Sequence, residues 1–271
     1  MSPEEIVSGR EDLLYERVGR VATVTINRPH RRNALAGGLT EQIYNLIAAL
    51  AQDSSLGVLV VRGAGNDFCA GFDMHPDDKD VSDKDRKRDP FARDTRRYSV
   101  SLLLHNMPAV TIAAIRGACA GAGLGWACGC DFRVSDTTAR FNTAFLDVGV
   151  AGDMGGPWSL SRIVGGAKAR DLYLFPRRFD AQEAFDMGLT QRLFAPEEFD
   201  GKVQEMVQRL ANAAPLALAG IKANFLEAEK VDFASYTATE TLRHLLLFNT
   251  ADRSEAMRAF VEKRPPNFTG G

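Results

Sequence analysis

Two stretches of the chain, Gly57-Val-Leu-Val-Val-Arg-Gly-Ala-Gly-Asn-Asp-Phe-Cys-Ala-Gly-Phe-Asp73 and Val110-Thr-Ile-Ala-Ala-Ile-Arg-Gly-Ala-Cys-Ala-Gly-Ala122, share one grammar. Each opens with a short, nearly all-apolar run, as expected of a strand covered on both faces. Each then passes a glycine (Gly63, Gly117) and closes on Cys-Ala-Gly, at Cys69–Gly71 and Cys119–Gly121. Strand, glycine turn and small-residue loop opening a helix is a unit that a superhelix repeats, each turn burying its neighbour's face. Chance also produces so short a match. Helix N-termini expose free backbone N–H groups with partial positive charge. Two such loops brought together would offer two donors to one oxygen, an arrangement that stabilises an enolate or tetrahedral oxyanion. Glycine and alanine equally permit close helix–sheet packing, so residue types alone leave both readings open.

Outward from this pair, Val21–Ile26 alternates and is β-branched, which predicts a strand, and Pro29 prevents its ladder from continuing. Leu39, Ile43, Leu46, Ile47 and Leu50 form a helical stripe over 39–53, with Thr40 and Glu41 suited to its N-terminal end. Residues 77–97 are dense in both charge signs and read as a solvated loop, or as a lid whose basic residues meet an anionic substrate. Past Glu197 the pattern is helical until Pro265 and Pro266, so the expected division is a core over 1–196 and a helical region over 197–271.

The chain of 271 residues carries 33 basic and 35 acidic side chains, a net charge of −2. That balance argues against nucleic acid as a partner, because phosphate neutralisation leaves a basic excess. No apolar run approaches the ~18–20 residues that span a bilayer. The first residues lack the apolar core of a signal peptide, and four cysteines in so long a chain make no disulfide framework. A cytoplasmic protein is expected. There is no Gly-x-Ser-x-Gly elbow or Walker-type lysine, and the four histidines lack metal-ligand spacing, so no metal is expected. Gly121-Ala-Gly-Leu-Gly125 mimics a dinucleotide fingerprint, but Trp126 stands where glycine or alanine belongs.

The chain resembles the crotonase (enoyl-CoA hydratase/isomerase) superfamily over nearly its whole length. The segments that carry the likeness are 27–35, Asp67-Phe-Cys-Ala-Gly-Phe-Asp-Met74, 108–131, 141–162 and Ala259-Phe-Val-Glu-Lys-Arg264. The resemblance implies an α/β fold, a crotonase-like spiral of ββα units with a C-terminal helical oligomerisation region. It also implies a homotrimer or dimer of trimers, acyl-CoA thioester substrates, and no cofactor beyond the coenzyme A of the substrate. Carried over by position, the oxyanion amides are those of Phe72 and Ala122, alanine replacing the usual glycine. Arg32, Ala34, Ala70, Gly71, Asp73, Gly121, Gly125 and Phe145 fall at substrate-binding positions, and Phe260 and Lys263 match tail residues that reach a neighbour's coenzyme A.

The catalytic carboxylates depart from the pattern. Gly125 and Phe145 align with the two glutamates of hydratases, and neither transfers a proton. Asp153 matches an aspartate that dienoyl-CoA isomerases use as proton carrier and 4-chlorobenzoyl-CoA dehalogenases use as nucleophile. Its competing role is a loop aspartate capping the helix that carries Trp158. The functional expectation is therefore an acyl-CoA enzyme working through Phe72, Ala122 and Asp153; the alternative is an acyl-CoA-binding protein of weak activity.

Overall fold

A computed structural model describes residues 1–74 and 95–271. Of the charged stretch read as a loop or lid, all but Thr95, Arg96 and Arg97 lies outside the described residues.

The strands are β1 (Leu13–Val18), β2 (Val21–Ile26), β3 (Val58–Gly63), β4 (Val110–Ile115), β5 (Ala118–Ala120), β6 (Phe132–Asp136), β7 (Arg140–Asn142), β8 (Phe179–Asp180) and β9 (Arg192–Phe194). One sheet has the order β1-β2-β3-β4-β6-β9 and a smaller one the order β5-β7-β8. Only β1 runs antiparallel in the larger sheet; β3 pairs β4 with Val58 opposite Val110. Successive units feed one strand to each sheet and then a helix. Thus β4 leads to β5 and the helix Ala122–Gly129, and β6 leads to β7 and the helix Gly156–Val164. This is the expected α/β spiral.

Both faces of the larger sheet are covered, which is why β3 and β4 are almost wholly apolar. Leu39, Ile43, Leu46, Ile47 and Leu50 of the helix Gly37–Ala51 belong to the main core with Val24, Ile26, Leu59 and Val61. On the other face, Val58, Val60, Ile112, Ala114 and Val134 meet Phe199, Val203 and Val207 of the helix Phe199–Ala211. Each of those three contributes about 1.5–3 kcal/mol relative to exposure. The first helix beyond residue 197 therefore covers the spiral's sheet, and the helices Pro215–Ala228, Phe233–Leu247 and Ala251–Glu262 extend beyond it.

The start of the helix Gly37–Ala51 corrects the sequence reading. Ala36, not a residue near Thr40, is its N-cap, and Thr40 lies buried in the first turn with its hydroxyl donating to Ala36 O at 3.1 Å. A threonine satisfied by the preceding turn mimics a cap in sequence. No helix among the described residues is long and apolar enough to cross a membrane.

Candidate active site

The repeated segments meet in space. Cys69 pairs with Cys119 in parallel, with Cys69 N–H donating to Ala118 O at 2.8 Å and Ala120 N–H donating to Cys69 O at 3.0 Å. This register sets Gly71 beside Gly121, so close that a β-carbon on Gly71 would stand 3.0 Å from Ala120 O. Both chains turn there through positive φ, +93° at Gly71 and +51° at Gly121, conformations open to glycine. The turns leave two amides idle. Around Phe72, Leu35 N–H donates to Gly71 O and Asp73 N–H to Leu35 O, but Phe72 N–H finds no acceptor among the described residues. Ala122 is the first residue of its helix, and its N–H is likewise unengaged among them. Ala122 is not among the positive-φ residues, so alanine stands there without strain.

Asp153 lies on the loop before the helix Gly156–Val164. It caps nothing: Gly155 is the N-cap, without a side-chain bond. Its Oδ1 is buried with no hydrogen-bond partner, and burial pushes the carboxyl up to about 6. The carboxylate is close enough to the oxyanion loop for its charge to bear on Cys69, whose thiol burial already pushes up to about 12. Of the apolar residues near it in sequence, Phe145 and Met154 are buried, while Val150 is exposed.

The two glutamate positions are closed in different ways. A β-carbon at Gly125 would come within 2.6 Å of Met154 Cβ. Met154 is pinned there at φ +52°, its sulfur accepting from Trp126 Nε1 and its carbonyl from Ser101 Oγ. Phe145 stacks on Tyr173 with centroids 6.0 Å apart and planes at 9°. Tyr173 packs its hydroxyl against Gly156 and feels the Asp153 charge; burial first, then Cys128 and Asp153, holds its phenol well above the usual range. Phe145, Val150, Ala151 and Tyr173 are among the residues that line a cavity of about 440 Å³. Tyr173 was missed in the sequence, as was the packing of Met154 against Gly125; a glycine at an aligned glutamate is itself the signal that another side chain fills the space. Gly125→Glu should therefore lower stability by about 1–3 kcal/mol through overpacking and create no hydratase; thermal unfolding with a crotonyl-CoA assay checks it.

The positions expected to bind substrate divide into two groups. Ala34, Ala70, Gly71 and Gly121 lie around the junction, with Ala70 N–H donating to Arg32 O at 3.1 Å. The charged positions are engaged within the chain. Asp73 accepts from Arg28 at 3.2 Å and Arg31 at 2.9 Å, and Arg32 pairs with Asp67 at 3.0 Å. Asp67 also accepts from Ala118 N–H; burial opposes its charge, yet Arg32 and that amide hold its carboxyl below the usual range. The Arg32 side chain remains 58% exposed. Phe260 is exposed on the last helix, and Lys263 ends it in the left-handed conformation. Among the described residues, neither bonds to a residue of the junction.

Two amides without an acceptor among the described residues, where spiral turns meet near a half-buried carboxylate, are the groups that chemistry of the oxyanion-stabilising class requires. The enoyl-CoA hydratase/isomerase family model matches residues 16–271, and the chain belongs to that family. It is 33% identical over 260 residues to 2,3-dehydroadipyl-CoA hydratase of Escherichia coli (strain K12), covering 96% of this chain and 99% of that protein. It is 31% identical over 251 residues to 1,2-epoxyphenylacetyl-CoA isomerase of the same organism, covering 92% and 95%. The crystal structure of an enoyl-CoA hydratase from Polaromonas sp. JS666 matches with a TM-score of 0.83 at 27% identity, covering 95% of this chain and 99% of that one.

Proposed function

We propose that the protein is an acyl-CoA double-bond isomerase working with one acid/base group, Asp153. The observation that carries this is the unpartnered, half-buried Asp153 carboxyl, raised to about 6, beside glutamate positions occupied by Gly125 and Phe145. The thioester oxygen accepts from Phe72 and Ala122 N–H, each such donor being worth about 10²–10³ in rate. Asp153 removes a proton from the α-carbon of a β,γ-unsaturated chain and returns it to the γ-carbon, shifting the double bond into conjugation. One base suffices because no water adds and no net proton is consumed. Hydration, which needs a base for water and an acid for carbon, lacks its second group and should fall ~10²–10⁴-fold below that of a two-glutamate enzyme.

The test is a panel of β,γ-enoyl-CoA thioesters and crotonyl-CoA, followed by mass spectrometry. Isomerisation without appreciable hydration is expected. Robust crotonyl-CoA hydration overturns the reading, a covalent aspartyl adduct replaces the base by a nucleophile, and binding without turnover favours the weak-activity alternative.

The same reading takes coenzyme A only as part of the substrate, with Arg32, Ala34, Ala70, Gly71, Asp73 and Gly121 around it, and assigns the protein to the cytoplasm on its four free thiols. It also takes residues 197–271 as the oligomerisation region of a homotrimer or dimer of trimers. Phe225, Phe233, Leu246, Phe260 and Val261 are each at least 73% exposed in the single chain, an apolar surface that monomers rarely leave in contiguous form. Phe260 and Lys263 would then reach a neighbouring site. Sedimentation at micromolar concentration should give a trimer or hexamer; a stable monomer contradicts the assignment.

A further inference from the structure

Among the described residues, Arg97 is a cation without a carboxylate. Its Nε is buried with no hydrogen-bond partner, and among the described residues no acid pairs with it. Its guanidinium lies over the Tyr98 ring, 5.2 Å from the centroid, and only Nη2 touches a polar atom, the Tyr98 hydroxyl at 3.5 Å. Arg96, beside it, lies over Tyr44 instead. A half-buried guanidinium with an idle donor is costly to keep unless something completes it.

Its place in the fold says what that something accompanies. The Tyr98 ring contacts Phe72, the residue whose amide is idle, with centroids 6.2 Å apart. Three residues after Tyr98, Ser101 Oγ donates to Met154 O, next to Asp153. Ser101 also packs its backbone against Gly129, at the end of the helix that Ala122 opens. The segment carrying Arg97 is thus fastened to both halves of the site, beside the oxyanion loop on one side and the Asp153 loop on the other.

We propose that Arg97 binds a carboxylate carried at the far end of the substrate's acyl chain, so that the enzyme takes ω-carboxyacyl-CoA thioesters. The proposal rests on the acyl-CoA reading above and names its substrate class. A planar guanidinium fork matches a carboxylate through two parallel N–H···O bonds. The phosphates of coenzyme A are the other source of an anion, and the experiment separates the two.

Binding is measured by calorimetry for adipyl-CoA, hexanoyl-CoA and free coenzyme A, all unreactive in isomerisation, on wild type, Arg97→Gln and Arg97→Lys. Wild type should bind adipyl-CoA more tightly than hexanoyl-CoA. Arg97→Gln should weaken adipyl-CoA by about tenfold to a hundredfold and leave the other two unchanged. Arg97→Lys, keeping the charge but not the fork, should recover part of the loss. Equal weakening of all three ligands assigns Arg97 to the phosphates and overturns the proposal, as does no weakening of any. Failure of wild type to bind all three removes the acyl-CoA reading itself, and this inference with it.

Discussion

Asp153→Asn should abolish turnover, a loss of at least ~10²–10⁴-fold, while coenzyme A affinity changes little. The substitution keeps the shape of the side chain and removes only its titration. The two amide donors, Phe72 and Ala122, belong to backbone fixed by the Cys69–Cys119 pairing and by Gly71 and Gly121, which the substitution leaves unchanged. In the wild type, kcat/KM should fall as pH drops through about 6, because the base is then protonated. Stability should run the other way. The folded carboxyl titrates at about 6 against an ordinary aspartate value of 3.8, so between those values the folded chain holds a proton that the unfolded chain has released. That stabilising contribution is complete below the lower value and lost as pH rises through the upper one. Asp153→Asn should therefore raise Tm relative to wild type at pH 8 and leave it nearly unchanged at pH 3. Full activity of the Asn variant, or an equal Tm difference at both pH values, would sink the assignment.

What the sequence disclosed follows from how local each constraint is. The Cys-Ala-Gly copies are legible because close approach of two backbones, Gly71 against Gly121, permits only small residues, and the demand falls on both segments alike. The buried strands Val58–Gly63 and Val110–Ile115 are legible because both faces are covered. Asp153 was reached only through the family likeness. The run Gly149-Val-Ala-Gly-Asp-Met-Gly155 has no periodicity, and nothing in it states that Oδ1 ends buried and unpaired. Side chains brought together by the spiral left no local trace. Tyr173 stacks on Phe145, and Arg97 reaches Phe72 through Tyr98, across separations that no window of sequence spans. Arg32 and Asp73 matched positions by alignment, whereas their ion partners, Asp67 for one and Arg28 and Arg31 for the other, are visible only in three dimensions.

Lys222→Met should be the most destabilising single substitution in the helical region. Lys222 is 5% exposed, the one buried residue of the helix Pro215–Ala228, which otherwise presents Leu216, Ile221 and Phe225 to the surface. Its ammonium donates to Ala109 O at 2.8 Å, Leu104 O at 3.3 Å and Asp131 Oδ2 at 2.8 Å, so its three donors are all used. Asp131 Oδ2 also accepts from Thr111 N–H at 2.7 Å and from the Thr111 hydroxyl at 3.0 Å. Removing the cation leaves the Asp131 carboxylate without its counter-charge and takes a donor from two carbonyls at once, and breaking such a pair costs about 3–5 kcal/mol. For a chain of this size that lowers Tm by roughly 6–20 °C. Asp131→Asn alone should also be damaging, and the double substitution should recover much of the loss, since a buried pair removed together is often close to neutral. An additive double mutant would show that the two residues do not act as a pair. The consequence reaches the site through the chain itself. Ala109 enters β4, which leads to Gly121, and Asp131 follows the helix that Ala122 opens, so the pin grips both ends of the unit that presents the Ala122 amide. Lys222→Met at a temperature where it is still folded should therefore lose kcat more than acyl-CoA affinity, because a displaced donor weakens the enolate more than the ground-state thioester.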